Sequence, residues 1–135
     1  MGELKYSFEK LDVYIKAREF RKKIYGLVKK LPKGEEFALA PQMRRAAISL
    51  TNNIAEGHGR FHFQECIQFF RHSRGSLQEL LDDINICIDE QYSDIEKLEL
   101  LKREGFDLLH SINGFIAYMR NQKLRQSNQP PTTNH

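Results

Sequence analysis

The stretch that decides the fold is CIQFFRHSRGSLQELLDDINIC, residues 66–87. Its apolar and small side chains recur at alternating intervals of four and three residues, which places them along one face of an α-helix. This seam comprises Cys66, Phe70, Ser73, Leu77, Leu80, Ile84 and Cys87. The pattern predicts one long amphipathic helix, from about residue 63 to residue 91. Gly75 lies near its middle, where glycine costs about 1 kcal/mol relative to alanine. We therefore expect Gly75 to let another backbone come close.

Three further segments show the same helical period, over about residues 11–31, 41–57 and 95–120. We expect the second helix to stop at Gly57, in the left-handed conformation that often follows a helix end. The seams are Val13, Ala17, Phe20, Ile24, Leu27 and Leu31 in the first segment, Met43, Ala46 or Ala47, Leu50 and Ile54 in the second, and Leu98, Leu101, Gly105, Leu108, Ile112, Phe115 and Met119 in the last.

Four amphipathic helices with short connections predict an all-α fold, an up-down-up-down antiparallel four-helix bundle. We assign residues 1–10 to an N-terminal extension, residues 11–121 to the bundle, and residues 122–135 to a polar tail that we expect to be disordered. The apolar stripes on the second and third helices are wider than a lone bundle needs. This surplus predicts self-association, because exposed apolar surface usually has a partner.

The composition is that of one globular domain: 135 residues, 40% apolar and 29% charged. No apolar run approaches the length of a membrane span, and the N-terminus lacks the apolar stretch of a signal peptide. The two cysteines, Cys66 and Cys87, lie too far apart along one helix to form a disulfide, which fits a reducing compartment. We expect a cytoplasmic protein with no membrane partner.

Charge is distributed unevenly along the chain. Residues 1–75 carry 15 Lys or Arg against 8 Asp or Glu, whereas residues 76–110 carry 3 against 10. This separation predicts opposed basic and acidic surfaces, and the basic one could contact nucleic acid. The alternative is that each charged face only solvates its helix and pairs with its neighbour.

The stretch NNIAEGHGRFHFQE, residues 52–65, holds the most concentrated polar chemistry. It is not a phosphate-binding loop, because its glycines follow a helix instead of a strand. His58, His62 and Cys66 could ligate a metal, which makes a metal-dependent enzyme a weaker alternative, but the spacing of a zinc site is missing. No nucleophile motif is present. We expect no enzyme activity, no catalytic residue and no cofactor.

Clustered cations are what a nucleic-acid surface needs, and the first three helices contain many. The candidate contacts for nucleic acid or a protein partner are Arg18, Arg21, Lys22, Lys29, Lys30, Lys33, Arg44, Arg45, Arg60, Arg71 and Arg74. In the alternative interpretation, Arg60 and Arg74 pair with glutamates within the structure, and Arg45 belongs to an ion pair between subunits.

The run QMRRAAISLTNNIAEGHGR, followed by RGS at residues 74–76, resembles the four-helix-bundle family of 23S rRNA intervening-sequence proteins. The resemblance covers about residues 10–120. The matching positions are Gln42, Arg45, Ala46, Ser49, Asn53, Ile54, Ala55, Glu56, Gly57, Gly59, Arg60, Glu65, Phe69, Gly75, Ser76 and Glu79.

The resemblance implies a non-enzymatic bundle that assembles as a ring-like homopentamer and associates with RNA. Family members also include the accessory protein of diversity-generating retroelements, so the alternative that it implies is a partner of a reverse transcriptase and its RNA. The net charge of +3 and the acidic third helix depart from those accessory proteins. We expect structural roles for Asn53, Glu56, Gly57, Gly59, Arg60, Glu65, Gly75 and Ser76. Glu56, Arg60 and Glu65 are candidates for a polar clasp at the corner between the second and third helices.

Overall fold

The computed structural model describes residues 7–128, which form four α-helices and no strand. The helices are α1 (Asp12–Val28), α2 (Leu39–His58), α3 (Phe63–Asp89) and α4 (Ile95–Asn128), with short 3-10 turns at Phe8–Lys10 and Lys33–Glu35. Each helix packs against its two neighbours in the order α1, α2, α3, α4 and back to α1. This arrangement confirms the predicted four-helix bundle. Within residues 7–128, no helix is long and apolar enough to cross a membrane.

The predicted seams form the core. All seven seam residues of α3 are buried, as are the first five seam residues of α1. In α4 the prediction is wrong at one position, because Ile116 is buried where Phe115 was expected. Phe115 is only partly buried and instead stacks on Phe70, with the ring centroids 4.5 Å apart. An aromatic ring at the edge of the core can bury one face in this way while the aliphatic side chain fills the interior.

Gly57 does not end α2 in a left-handed conformation, so that prediction is wrong. The glycine lies inside the helix and is buried, and no described glycine has a positive φ. A Cβ at Gly57 would lie 2.8 Å from the Cβ of Phe69 and 3.0 Å from a ring carbon of Phe70. Gly57 is therefore required by the close approach of α2 to α3, and the chain turns beyond it, at Gly59.

Gly75, unlike Gly57, has open space beside it. No atom lies within 4 Å of the position of its missing Cβ, so no neighbouring backbone of the described chain approaches it closely, contrary to the prediction. Gly105 on α4 is the more crowded position, where a Cβ would meet a side-chain methyl group of Leu81 at 2.6 Å and the ring of Phe20 at 3.1 Å.

Helix α4 is longer than the sequence pattern indicates. It continues to Asn128, so residues 122–128 are helical where we expected a disordered tail. This segment contains no glycine or proline, and it is rich in Gln, Lys, Leu and Arg, which favour helix even when they are exposed. Residues 129–135, the rest of the predicted tail, and residues 1–6 of the predicted N-terminal extension lie outside the described residues.

The loops at one end of the bundle are tied together by Glu35. Its carboxylate accepts a 2.6 Å hydrogen bond from the Tyr92 hydroxyl and another from the backbone N–H of Leu39, at the start of α2. Tyr92 belongs to the α3–α4 connection, where Gln91 has a φ of 57° and turns the chain. The hydrogen bond to Glu35 raises the pKa of Tyr92 to about 12. The α1–α2 and α3–α4 loops are thereby joined.

We predict that Gly57→Ala destabilises the protein by about 1–3 kcal/mol, because the added methyl overlaps the stiff base of Phe69. Gly114→Ala is the matched control, since no atom lies within 4 Å of its missing Cβ. The control should be neutral or stabilising by about 1 kcal/mol, because alanine favours helix. Urea unfolding followed by circular dichroism measures both changes, and equal stabilities for the two variants would contradict the close approach.

Candidate nucleic-acid interface

The α1–α2 side of the bundle carries a cluster of cations, here called the basic face: Arg18, Arg21, Lys22, Lys29, Lys33 and Arg44. Arg21 donates a 2.8 Å hydrogen bond to the Thr51 hydroxyl, which joins α1 to α2. Further along, Lys29, Lys33 and Arg44 line one cavity of about 350 Å³ together with Glu36. The structure thus brings together three cations that come from α1, the following loop and α2.

The remaining members of the basic face extend it along α1. Arg18 is exposed, and Lys22 lies one turn beyond it on the same surface of the helix. Lys22 pairs with Glu19 at 3.5 Å, but both side chains are more than half exposed. Such a surface pair contributes little and leaves the cation available to a phosphate.

The other predicted contacts lie elsewhere on the bundle. Lys30 lies in a groove between α1 and α4, and Arg74 donates to the side chain of Asn113 on α4 at 2.9 Å. Arg71 lies on the α2–α3 side. Arg45 is exposed and precedes Ser49 by one turn of α2. The structure therefore divides the candidate cations among several faces.

The corner between α2 and α3 is held by Arg60. Its guanidinium forms a 3.0 Å ion pair with Glu56 and lies 4.7 Å from the centre of the Phe69 ring. Two of the three residues predicted to form the polar clasp, Glu56 and Arg60, are therefore in contact. Glu65 is exposed and makes no ion pair within residues 7–128.

A polar groove of about 550 Å³, here called the α2–α3 groove, runs between these two helices. Its centre is the Ser49 hydroxyl, which accepts hydrogen bonds from Ser76 at 2.8 Å and from the Asn53 amide at 2.9 Å. The groove is lined by Ser49, Asn53, Phe69, Arg71, His72, Gly75, Ser76 and Glu79. Gly75 adds no side chain to the groove, and no atom lies within 4 Å of its missing Cβ. Six of these residues belong to the positions that carried the family resemblance.

Asp83 is a buried acid on α3 that was not among the predicted site residues. It is 2% exposed, and one carboxylate oxygen accepts a 2.8 Å hydrogen bond from the Gln42 amide. The other oxygen, Oδ2, is buried without a partner in the described chain. The pKa of Asp83 is raised to about 6, mainly by burial. The hydrogen bond from Gln42 lowers the pKa in part, and the nearby charges of Asp82 and Glu79 contribute to raising it. Asp83 lies three residues after Leu80 and four residues before Cys87. This spacing puts it beside the buried seam, and it is the sequence signal that could have indicated its burial.

Residues 9–114 match the family model described as "23S rRNA-intervening sequence protein". The chain belongs to this family. A similar solved structure comes from Bacteroides thetaiotaomicron and is described as a protein of unknown function from the S23 ribosomal protein family. It has a TM-score of 0.72 and 22% sequence identity, over 77% of this chain and 97% of that chain. At that identity the likeness shows the shared fold alone. No curated protein matches the chain.

In this 23S rRNA-intervening sequence family protein, the three residues considered as metal ligands do not form a ligand set. Among residues 7–128, no group of three or more His, Cys, Asp or Glu side chains is arranged to hold a metal ion. Cys66 points into the core, and burial raises its pKa to about 11, so that its thiol stays protonated. His62 is exposed at the start of α3 and contacts the ring of Phe61 edge-on.

We predict that Asp83→Asn stabilises the protein near neutral pH. The folded-state pKa lies above the unfolded value of about 3.9, so the stability that protonated Asp83 contributes is lost as the pH rises through about 6. Asparagine mimics the protonated acid and still accepts from Gln42. The gain should reach about 1–3 kcal/mol at pH 7.5 and vanish near pH 4.

Urea unfolding across this pH range measures the effect. The matched control is Asp82→Asn, because Asp82 is the exposed neighbour of Asp83 on the same helix. If Asp83→Asn retains the pH dependence of the parent between pH 4 and pH 7.5, Asp83 is not the group responsible.

Proposed function

We propose that this chain is a non-enzymatic, oligomeric four-helix-bundle protein that associates with RNA through the basic face. The observation that carries the proposal is the convergence of Lys29, Lys33 and Arg44 on one cavity, continued along α1 by Arg21, Lys22 and Arg18. Membership of the 23S rRNA-intervening sequence family supports RNA as the partner. A reverse-transcriptase partner stays a prediction of the resemblance.

The chemistry of the basic face suits phosphates better than bases. Its polar groups are ammonium and guanidinium ions on long side chains, which neutralise phosphate charge without reading sequence. Lys29 and Lys33 are exposed and form no ion pair within residues 7–128. The cavity that they line with Arg44 contains one acidic side chain, Glu36. We therefore infer sequence-tolerant binding to the RNA backbone.

We predict that the protein binds a labelled RNA hairpin with an affinity that falls steeply between about 50 and 200 mM salt. The triple variant Lys29→Gln, Lys33→Gln, Arg44→Gln should bind at least tenfold more weakly at low salt. Its logarithmic salt slope should be smaller by about one for each cation that contacts a phosphate. Fluorescence anisotropy measures both quantities.

The matched control is Lys97→Gln, Lys102→Gln, Arg103→Gln on α4, which removes the same number of positive charges from residues outside the basic face. This control should bind RNA almost as the parent does. Equal losses in the two triple variants would show that net charge alone drives binding, and an affinity independent of salt would contradict the phosphate-contact proposal.

Self-association is the second part of the proposal. Several large apolar side chains are exposed on the single chain, among them Phe37 at 90% and Phe61 at 93%. Exposed aromatic rings of this kind are enriched in protein interfaces. Their positions, one before α2 and one before α3, place an exposed ring near each end of the bundle.

We predict that light scattering on the purified protein gives five times the chain mass of 15.9 kDa. Phe61→Ser should lower that mass on dilution but leave the helical content unchanged, because the ring makes few contacts within its own chain. A parent protein that stays monomeric at high concentration would refute the assembly, and the RNA measurement above is independent of that result.

A further inference from the structure

The groove between α1 and α4 is separate from both surfaces described above. It is a cavity of about 320 Å³, formed by the last turns of α1 and the first turns of α4. Its volume lies at the lower end of the range for small-molecule sites.

The floor of this α1–α4 groove is apolar. It is lined by Leu27, Leu98 and Leu101, and each of these residues is less than 10% exposed. Gly26 opens the groove, since no atom lies within 4 Å of its missing Cβ. Leu100 borders the groove and is half exposed, so covering it would remove apolar surface from water.

The rim of the groove is cationic. Lys23 pairs with Glu104 at 2.5 Å, which neutralises one of its three lysines. The side-chain ammonium groups of the other two, Lys30 and Lys97, form no ion pair or hydrogen bond within residues 7–128. Two unneutralised ammonium groups therefore stand over a floor of leucine side chains, one contributed by each helix.

We propose that the α1–α4 groove binds a small anionic amphiphile, a molecule with one carboxylate-like head and an apolar body. The leucine floor takes the body, and Lys30 and Lys97 take the head from opposite sides. Charge complementarity selects an anion, because Glu104, the one acid among the described residues that line the groove, is already paired with Lys23. The lining contains no aromatic ring on which a nucleic-acid base could stack, which separates this groove from an RNA site.

The test is a titration of the full-length, ¹⁵N-labelled protein with decanoate, kept below its micelle concentration and followed by NMR. Saturable shifts of the Gly26 and Leu101 amides are expected. Decanol and decyltrimethylammonium carry the same tail with a neutral or a cationic head, and each should bind at least tenfold more weakly. Equal binding of the three probes would overturn the proposal, because it would show that only the apolar tail is recognised.

Two variants locate the site. Gly26→Leu fills the groove and should abolish the shifts, while the fold is retained because leucine favours helix over glycine and meets open space. Lys30→Gln with Lys97→Gln should weaken decanoate binding about tenfold, and the control Lys29→Gln, on the basic face, should leave it unchanged. Undiminished binding by folded Gly26→Leu overturns the proposal. The proposal is also overturned if decanoate does not bind and the Gly26→Leu variant forms a smaller assembly. Those two results would show that a second copy of the chain covers the groove.

Discussion

Helices α2 and α3 approach so closely that small residues are required along their contact. Gly57 can carry no Cβ there without displacing the base of Phe69, and two alanines earlier on α2, Ala46 and Ala47, are also buried. Ser73 of α3 donates a 2.7 Å hydrogen bond to the backbone carbonyl of Leu50, so the two helices also share a buried polar tie. A shift of one helix along the other would lose this hydrogen bond and the fit at Gly57 together.

The same contact creates the α2–α3 groove. Close packing brings the hydroxyls of Ser49 and Ser76 within 2.8 Å, and it places the carboxylate of Asp83 beside Gln42. The cost of this arrangement is a buried carboxylate oxygen with no partner within the described residues. Because a protein normally satisfies its buried polar atoms, Asp83 is a position where stability has been given up near neutral pH.

The pairing of α1 with α4 depends on different chemistry. Here Lys23 pairs with Glu104, and Lys16 donates to the Ser111 hydroxyl at 3.2 Å, so exposed polar contacts border the packing of Phe20 against Gly105. Lys16 and Lys23 therefore lie on the α4 side of α1 and do not belong to the basic face. On the α1–α2 side, Arg21 instead donates to the uncharged hydroxyl of Thr51.

The four helices and most of their seam residues could be predicted from the sequence, because a period of 3.6 residues is a local property of the chain. The run around Gly57 indicated the family in the same way, and the charge count showed that cations are concentrated in residues 1–75. The role of each candidate site residue became visible only in the folded bundle. Gly57 and Gly75 are both glycines near helix seams, yet one is required by a neighbouring helix and the other faces an open groove. Lys29 and Lys30 are adjacent in sequence at the end of α1, yet Lys29 lines the cavity beside α2 and Lys30 lines the groove beside α4. These differences depend on which neighbour faces each residue, a relation between segments distant in the chain that no local pattern contains.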